Sequence, residues 1–249
     1  MDHRVKITIF FLVLSVFAQY SQCAEPSSVT DTPKTPVHVE LYYEGQCQKS
    51  QKFIEEELIP TYKTLSQHLN IELIPFAKST ITHINATTNE YNLTCPRGVL
   101  ECEIDKVHAC AIKHITSIPD KLNFLNCTMK PSNEEKLPPT SKCATQIKLQ
   151  AEIITAIENC LKVEVFQDLK TYNEKSLAAK VEYVPTILIN NTPFEKKTNA
   201  TTGYLKSAIC ENIPEPKPKE CTSDASGSDA IVAGILPLLI GAYYLIKTF

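Results

Sequence analysis

The sequence predicts an α/β domain with a cysteine-rich helical insertion, and three observations predict it. An apolar run, Val37–Tyr43, leads through a short turn holding Cys47 into a helical stripe, and Ile71–Phe76 supplies a second apolar strand. That makes a strand–helix–strand unit. Residues 77–142 then break the pattern with prolines and with Cys95, Cys102, Cys110 and Cys127, and a β-branched strand at Tyr183–Ile189 returns to it.

The elements follow in order. Val37–Tyr43 mixes alternating and continuous apolar residues, as a buried strand does. From Ser50 to Leu69 the residues Ile54, Leu58, Tyr62, Leu65 and Leu69 recur every three or four, a helical face. Pro60 removes a backbone donor inside that stripe and should kink it. In the inserted stretch a helix is expected over Val99–Ile115, followed by a less regular segment. One helix from Cys143 to Leu161, with Ile147, Ile154, Ile157 and Leu161 on one face, and further turns over Val165–Ala179 come next. Tyr183–Ile189, the polar turn Asn190-Asn191 and Thr192-Pro193-Phe194 read as a strand and the start of its return. A short helix over Thr202–Cys210 closes the domain.

The chain has 249 residues and a formal charge of −3, with no basic stripe and no interleaving of basic and aromatic residues. Nucleic acid is therefore not among the expected partners. Residues 1–23 read as a signal peptide, with His3, Arg4 and Lys6 before an apolar core, and Ser21 and Cys23 as small residues ahead of the cut. Residues 24–36 follow as a disordered leader rich in Pro, Ser and Thr, residues 37–213 as the folded domain, and residues 214–229 as a Pro- and Ser-rich stalk. Residues 230–249 form a hydrophobic tail, read either as a glycolipid-anchor signal after the small residues 222–228 or as a short transmembrane helix. Asn-x-Ser/Thr acceptors at Asn85, Asn92, Asn126, Asn190 and Asn199 suit a lumenal or extracellular body, Asn190 least because Pro193 follows its Thr192. The expected location is the secretory pathway, with the cell surface or the extracellular space as the end point and the tail as a membrane tether.

Ten cysteines less Cys23 leave nine, an odd number in a compartment where cysteines normally pair. Cys95, Cys102, Cys110, Cys127, Cys143, Cys160, Cys210 and Cys221 can close as four disulfides and leave Cys47 free. No pairing follows from the sequence, and a free or intermolecular Cys221 is the competing account. Zinc on Cys102, His108, Cys110 and His114 is a further alternative, disfavoured because no close cysteine pair accompanies them, so no metal is expected. Early bridging of Cys127 would hinder glycosylation at the adjacent Asn126.

Cys47 carries the chemistry. A thiol must ionise to attack, a free cysteine titrates near pKa ~8.5, and the unpaired N–H groups at a helix start favour the thiolate. Ser50 stands three residues on, where a dithiol enzyme has its second cysteine. It can donate a hydrogen bond to Cys47 but cannot resolve a mixed disulfide. Val184-Pro185, at the start of a distant strand, is the second element: the backbone before such a proline can pair with an extended substrate chain.

The segment Leu41–Ile54 around Cys47 resembles the active-site segment of the gamma-interferon-inducible lysosomal thiol reductase family. The block Cys95-Pro96-Arg97-Gly98-Val99-Leu100-Glu101-Cys102-Glu103-Ile104-Asp105-Lys106-Val107-His108-Ala109-Cys110 resembles its signature, with the three cysteines, Gly98 and Glu101 at the family spacing. Pro96-Arg97 replaces Gln-His, and Asp105 replaces Asn. The resemblance runs from about Val37 to Ile213. It implies a thioredoxin-like fold with a helical, disulfide-bonded insertion, a cis Val184–Pro185 bond, and an enzyme that reduces protein disulfides in acidic endolysosomal compartments. Without a second active cysteine, turnover needs no bound cofactor but an external small thiol such as cysteine or glutathione. A non-catalytic protein that captures peptides or thiols at the same groove is the alternative.

Overall fold

The computed structural model describes residues 35–85, 90–130, 138–195 and 203–222. The chain divides into Met1–Lys34, which lies outside these residues, and Thr35–Phe249, to which everything below refers. Strand β1 (Val37–Tyr42) is followed by α1 (Gln48–Phe53), a π-helical turn (Ile54–Leu58) and α2 (Ile59–Leu65), then β2 (Leu69–Ile74). A hairpin, β3 (Thr80–Asn85) and β4 (Glu90–Thr94), precedes helices α3 (Val99–His114), α4 (Ile118–Thr128), α5 (Thr140–Gln146), α6 (Ala151–Val163) and α7 (Val165–Ala178). Strands β5 (Thr186–Ile189) and β6 (Thr192–Phe194) and helices α8 (Tyr204–Asn212) and α9 (Lys219–Thr222) complete it.

The main sheet has the order β2-β1-β5-β6. β1 runs parallel to β2 and antiparallel to β5, with Leu41 opposite both Leu73 and Ile187. This register puts Val37, Val39, Leu41, Leu69, Leu73, Ile187 and Ile189 on one face, all buried in the principal core. Each such side chain contributes roughly 1.5–3 kcal/mol of burial. The other face carries Tyr42 and Ile74, covered by Tyr172 and Ala179 at the end of α7 and by Val181. Helices on both faces leave the carboxyl end of β1 as the place where a loop can open to a ligand.

Several boundaries differ from the sequence reading. At Pro60 the helix continues: the turn before it, Ile54–Leu58, is π-helical, with the Ile59 N–H reaching back to the Ile54 carbonyl, so the wider turn falls where the proline removes a backbone donor. The irregular segment expected after Ile115 is helix α4, started by Ser117, whose hydroxyl accepts the Asp120 N–H, with Pro119 in its first turn. The single helix expected over Cys143–Leu161 is two, separated where Lys148 takes a left-handed φ of 58°. The β3–β4 hairpin was not expected; Tyr91 stacks between His83 and Phe166 and so fixes it to α7.

The stalk expected from residue 214 is, as far as Thr222, folded back. Cys210 is bonded to Cys221, and the Lys217 ammonium donates to the carbonyls of Cys210, Glu211 and Ile213 at the end of α8. The lysine thus supplies hydrogen bonds at the carbonyl end of the helix. The leader to Lys34, the rest of the stalk and the hydrophobic tail lie outside the described residues. Among the described residues no helix is long and apolar enough to cross a membrane.

Candidate active site

The chain leaves β1 at Tyr42, turns at Gly45-Gln46 and enters α1 with Cys47 as the residue capping its start. The Cys47 N–H donates to the Glu44 carbonyl at 3.1 Å and its carbonyl accepts the Gln51 N–H at 2.9 Å, so the backbone is fixed on both sides of the thiol. Cys47 is 3% exposed, and its Sγ lies 3.7 Å from the Val184 carbonyl oxygen. The Val184–Pro185 bond is cis. Cys47 and Val184, 137 residues apart in sequence, therefore share one site.

Cys47 is unbridged. The other described cysteines pair as Cys95–Cys102, Cys110–Cys160, Cys127–Cys143 and Cys210–Cys221. These bonds take Cys221 in an intramolecular bridge and remove Cys102 and Cys110 as zinc thiolates. His108, the third member of that set, is buried between the Tyr43 hydroxyl, 3.1 Å from Nδ1, and Thr128 Oγ1, 2.7 Å from Nε2. Thr128 spends its own proton on a carbonyl of the preceding turn, so it accepts from Nε2–H while Tyr43 donates to Nδ1. Burial lowers the His108 pKa to about 3. Its ring is neutral and structural.

Ser50 departs from expectation in one respect. It is fully buried, and its hydroxyl makes no hydrogen bond, to Cys47 or to any other described group. The helix points this side chain inward while the Cys47 thiol faces Val184.

The turn before Cys47 is held by acids. Glu44, fully buried, accepts the Lys78 N–H and, at 2.8 Å, the Ser79 hydroxyl. The Gly45 N–H donates to Asp105 Oδ1 at 2.8 Å. Arg97 donates twice to Glu101, from its backbone N–H and its guanidinium, each at 2.8 Å. Of the positions that depart from the family signature, Asp105 holds the loop through the Gly45 N–H, and Arg97 pairs with Glu101 and lines the cleft at Cys47.

Two clefts open at Val184-Pro185. One, of about 620 Å³, is lined by Gln46, Cys47, Lys78, Arg97, Glu182 and Val184. The other, of about 680 Å³, is lined by Phe53, Glu57, Pro185, Ile187, Phe194 and Tyr204. Lys49 and Tyr183 border both, so the clefts form adjoining stretches of one groove across the cysteine. Both carry charged residues, and the second adds the apolar surfaces of Phe53, Ile187, Phe194 and Tyr204 beside Lys52, Glu56 and Glu195. A third cleft, of about 520 Å³, lies against the Cys127–Cys143 bridge and shares no lining residue with them.

The glycosylation acceptors are placed unevenly. Asn92 is exposed on β4, whereas Asn126 is half-buried with its Oδ1 inside. Asn190 is exposed but engaged: Oδ1 accepts the His38 N–H at 3.0 Å, and its φ of 49° makes the turn into β6. The Asn85 side chain and Asn199 lie outside what is described. Among the described residues one His–carboxylate group has metal-like spacing, His38 with Glu40 and Glu72. There the Tyr42 hydroxyl already bonds Glu40 and the Lys175 ammonium pairs with Glu72, so both carboxylates are in use.

Residues 38–147 match the family described as gamma interferon inducible lysosomal thiol reductase (GILT). A gamma-interferon-inducible lysosomal thiol reductase-like protein of Anopheles gambiae is 30% identical, with 92% of this chain and 96% of the relative covered. The gamma-interferon-inducible lysosomal thiol reductase of Mus musculus is 26% identical over 76% of this chain and 77% of its own. Among solved structures, MdbA, a thiol-disulfide oxidoreductase from Actinomyces oris, superimposes with a TM-score of 0.52 at 14% identity, covering 72% of this chain and 83% of that one. That likeness shows the fold alone. The fold is thioredoxin-like, with a helical insertion tied by disulfides.

Proposed function

The chain belongs to the gamma-interferon-inducible lysosomal thiol reductase family, and from that premise we propose that it reduces protein disulfides through Cys47 with the help of an external small thiol. One observation carries the reading: Cys47 is unbridged, begins a helix and has its sulfur against the Val184 carbonyl, while every other described cysteine is bridged.

Cys47 attacks as the thiolate. Its sulfur bonds to one sulfur of the substrate disulfide, and the other leaves as a thiolate and takes a proton from solvent. Ser50 has no sulfur to expel the product. A small thiol therefore attacks Sγ of Cys47, releasing the second substrate thiol, and a further small thiol frees Cys47. The sum is one substrate disulfide and two small thiols giving two substrate thiols and one small disulfide. The extended substrate chain lies along the groove at Val184-Pro185, with the Val184 backbone as its pairing partner. The setting is the secretory and endolysosomal pathway, with residues 230–249 as tether.

Capture without turnover is the second reading, and the buried, unpartnered Ser50 hydroxyl favours it. The two are separated by following reduction of a disulfide-bonded protein at about pH 5 and about pH 7 with added cysteine. Many turnovers, lost in Cys47→Ala, are expected. A single stoichiometric event per chain assigns the capture reading, and activity that survives Cys47→Ala rejects both.

A further inference from the structure

The turn that presents Cys47 rests on two carboxyl groups brought together from distant parts of the chain. Glu44 and Asp105 are both fully buried, Asp105 Oδ1 takes the N–H of Gly45, the residue next to Glu44, and each acid perturbs the titration of the other. The donors around them are one too few. Glu44 receives the Lys78 N–H and the Ser79 hydroxyl, Asp105 Oδ1 receives the Gly45 N–H, and Asp105 Oδ2 has no donor. A proton held between the two acids supplies that missing donor.

We propose that Glu44 and Asp105 share one proton and act together as positioning residues for Cys47, fastening the Glu44–Cys47 turn to α3. The inference rests on the reading of Cys47 as the reactive thiol. The groups around the pair leave it without a counter-ion. Glu101, one turn earlier on α3, pairs with Arg97 and still adds negative charge near both acids. The Lys78 ammonium turns away to the Val181 carbonyl. His108 on α3 is neutral and faces Tyr43, and Tyr172 of α7 lies close enough to act on Tyr43 as well. Among the described residues neither acid has an ion pair.

Burial raises the pKa of both acids and the Glu101 charge adds to both; Glu44 raises Asp105 further, whereas Asp105 and the Lys78 and Ser79 donors pull Glu44 part of the way back. The native pair therefore binds more protons than the unfolded chain between the ordinary carboxyl range and its raised value. Its support for the native turn is present in acid and is lost as pH rises through that value. With the shared proton gone, two negative charges face each other in a dry site, and the Gly45–Cys47 turn loosens from α3.

Asp105→Asn tests this, because an amide N–H donates to Glu44 at any pH and the amide oxygen still accepts from Gly45. Hydrogen exchange at Gly45 and Cys47, corrected for intrinsic rates, is followed from about pH 5 to about pH 8, together with the infrared carbonyl band of a protonated carboxylic acid. Wild type should lose about tenfold or more of its protection across that range, equivalent to about one pKa unit of coupling. D105N should lose none, and the acid band present in wild type near pH 6 should be missing from it. Protection that is flat in wild type, or falls equally in D105N, overturns the proposal. If D105N does not fold, Glu44→Gln replaces it in the same comparison. Neither signal needs turnover, and both should persist in Cys47→Ala, so this proposal and the proposed activity fail separately.

Discussion

Replacing Gly45 by alanine should damage the active site by pushing its loop off helix α3. A Cβ built on Gly45 meets Ile104 Cγ2 at 2.4 Å, Ile104 Cβ at 2.7 Å and Asp105 Oδ1 at 3.1 Å. Carbon atoms rest at about 3.5–4.0 Å, so the turn or the helix must give by about 1 Å. The glycine is needed for this close approach; its φ is not in the left-handed region, unlike those of Gly98 and Gly203. Overpacking of this kind costs about 1–3 kcal/mol, set against about 0.4–1 kcal/mol gained by stiffening the unfolded chain. A net loss of about 1–2 kcal/mol is expected from denaturant unfolding. The effect on rate should be larger in proportion, since a shift of about 1 Å in a reacting group can cost on the order of 100-fold. Stopped-flow reaction of Cys47 with a disulfide peptide, compared with its reaction with a small unhindered disulfide, measures it. G45A with wild-type stability and wild-type rates on both reagents would refute the claim that α3 sets the position of the thiol.

Other outcomes follow from the same geometry. Ser50→Ala removes a buried hydroxyl that has no partner, so stability in denaturant should hold or rise by about 1 kcal/mol. Ser50→Cys should allow one substrate disulfide to be reduced per reduced chain without added thiol, leaving Cys47 bonded to the new cysteine; peptide mapping that finds no such bond contradicts the claim that the missing second sulfur is what makes release depend on an external thiol. The Cys110–Cys160 bridge closes a separation of 50 residues and ties α3 to α6, so its removal by a double alanine change should cost about 4 kcal/mol in unfolding free energy. Removing Cys95–Cys102, at a separation of 7, should cost about 2 kcal/mol. His108 is neutral in the fold because burial lowers its pKa to about 3, so the native state binds fewer protons than the unfolded chain up to the ordinary histidine range. Stability from this group is full above about pH 6.5 and falls as pH drops, by on the order of 2 kcal/mol at pH 5. His108→Gln should remove that part of the acid sensitivity; an unchanged difference in unfolding free energy between pH 7 and pH 5 contradicts it.

Much of the fold could be read in the chain because local pattern and global packing agree. Val37–Tyr42, the stripe from Ile54 to Leu65 and Thr186–Ile189 each show the period their burial requires. The β3–β4 hairpin escaped notice since its alternation, Ile81 and Leu93 inward with Thr82 and Asn92 outward, is diluted by polar residues that read as loop. Helix α4 did carry a signal, Ser117 followed by Pro119 and the spacing of Leu122 and Leu125, which the nearby sequon obscured. At the site, Cys47 and Val184-Pro185 were visible as local motifs. The Gly45–Asp105 hydrogen bond was not, because it depends on how α3 crosses the end of β1 and not on any spacing along the chain. The pairing of the eight bridged cysteines was hidden for the same reason.

The central claim is that Cys47 is the sulfur that attacks. Mixing the protein with a disulfide-bonded peptide in the absence of small thiol, quenching with acid and mapping cysteines by mass spectrometry tests it most directly. The account predicts one peptide per chain, bonded to Cys47, with the four structural bridges intact and the adduct released on adding cysteine. An adduct on any other cysteine, or none on Cys47 while the peptide is reduced, would contradict it.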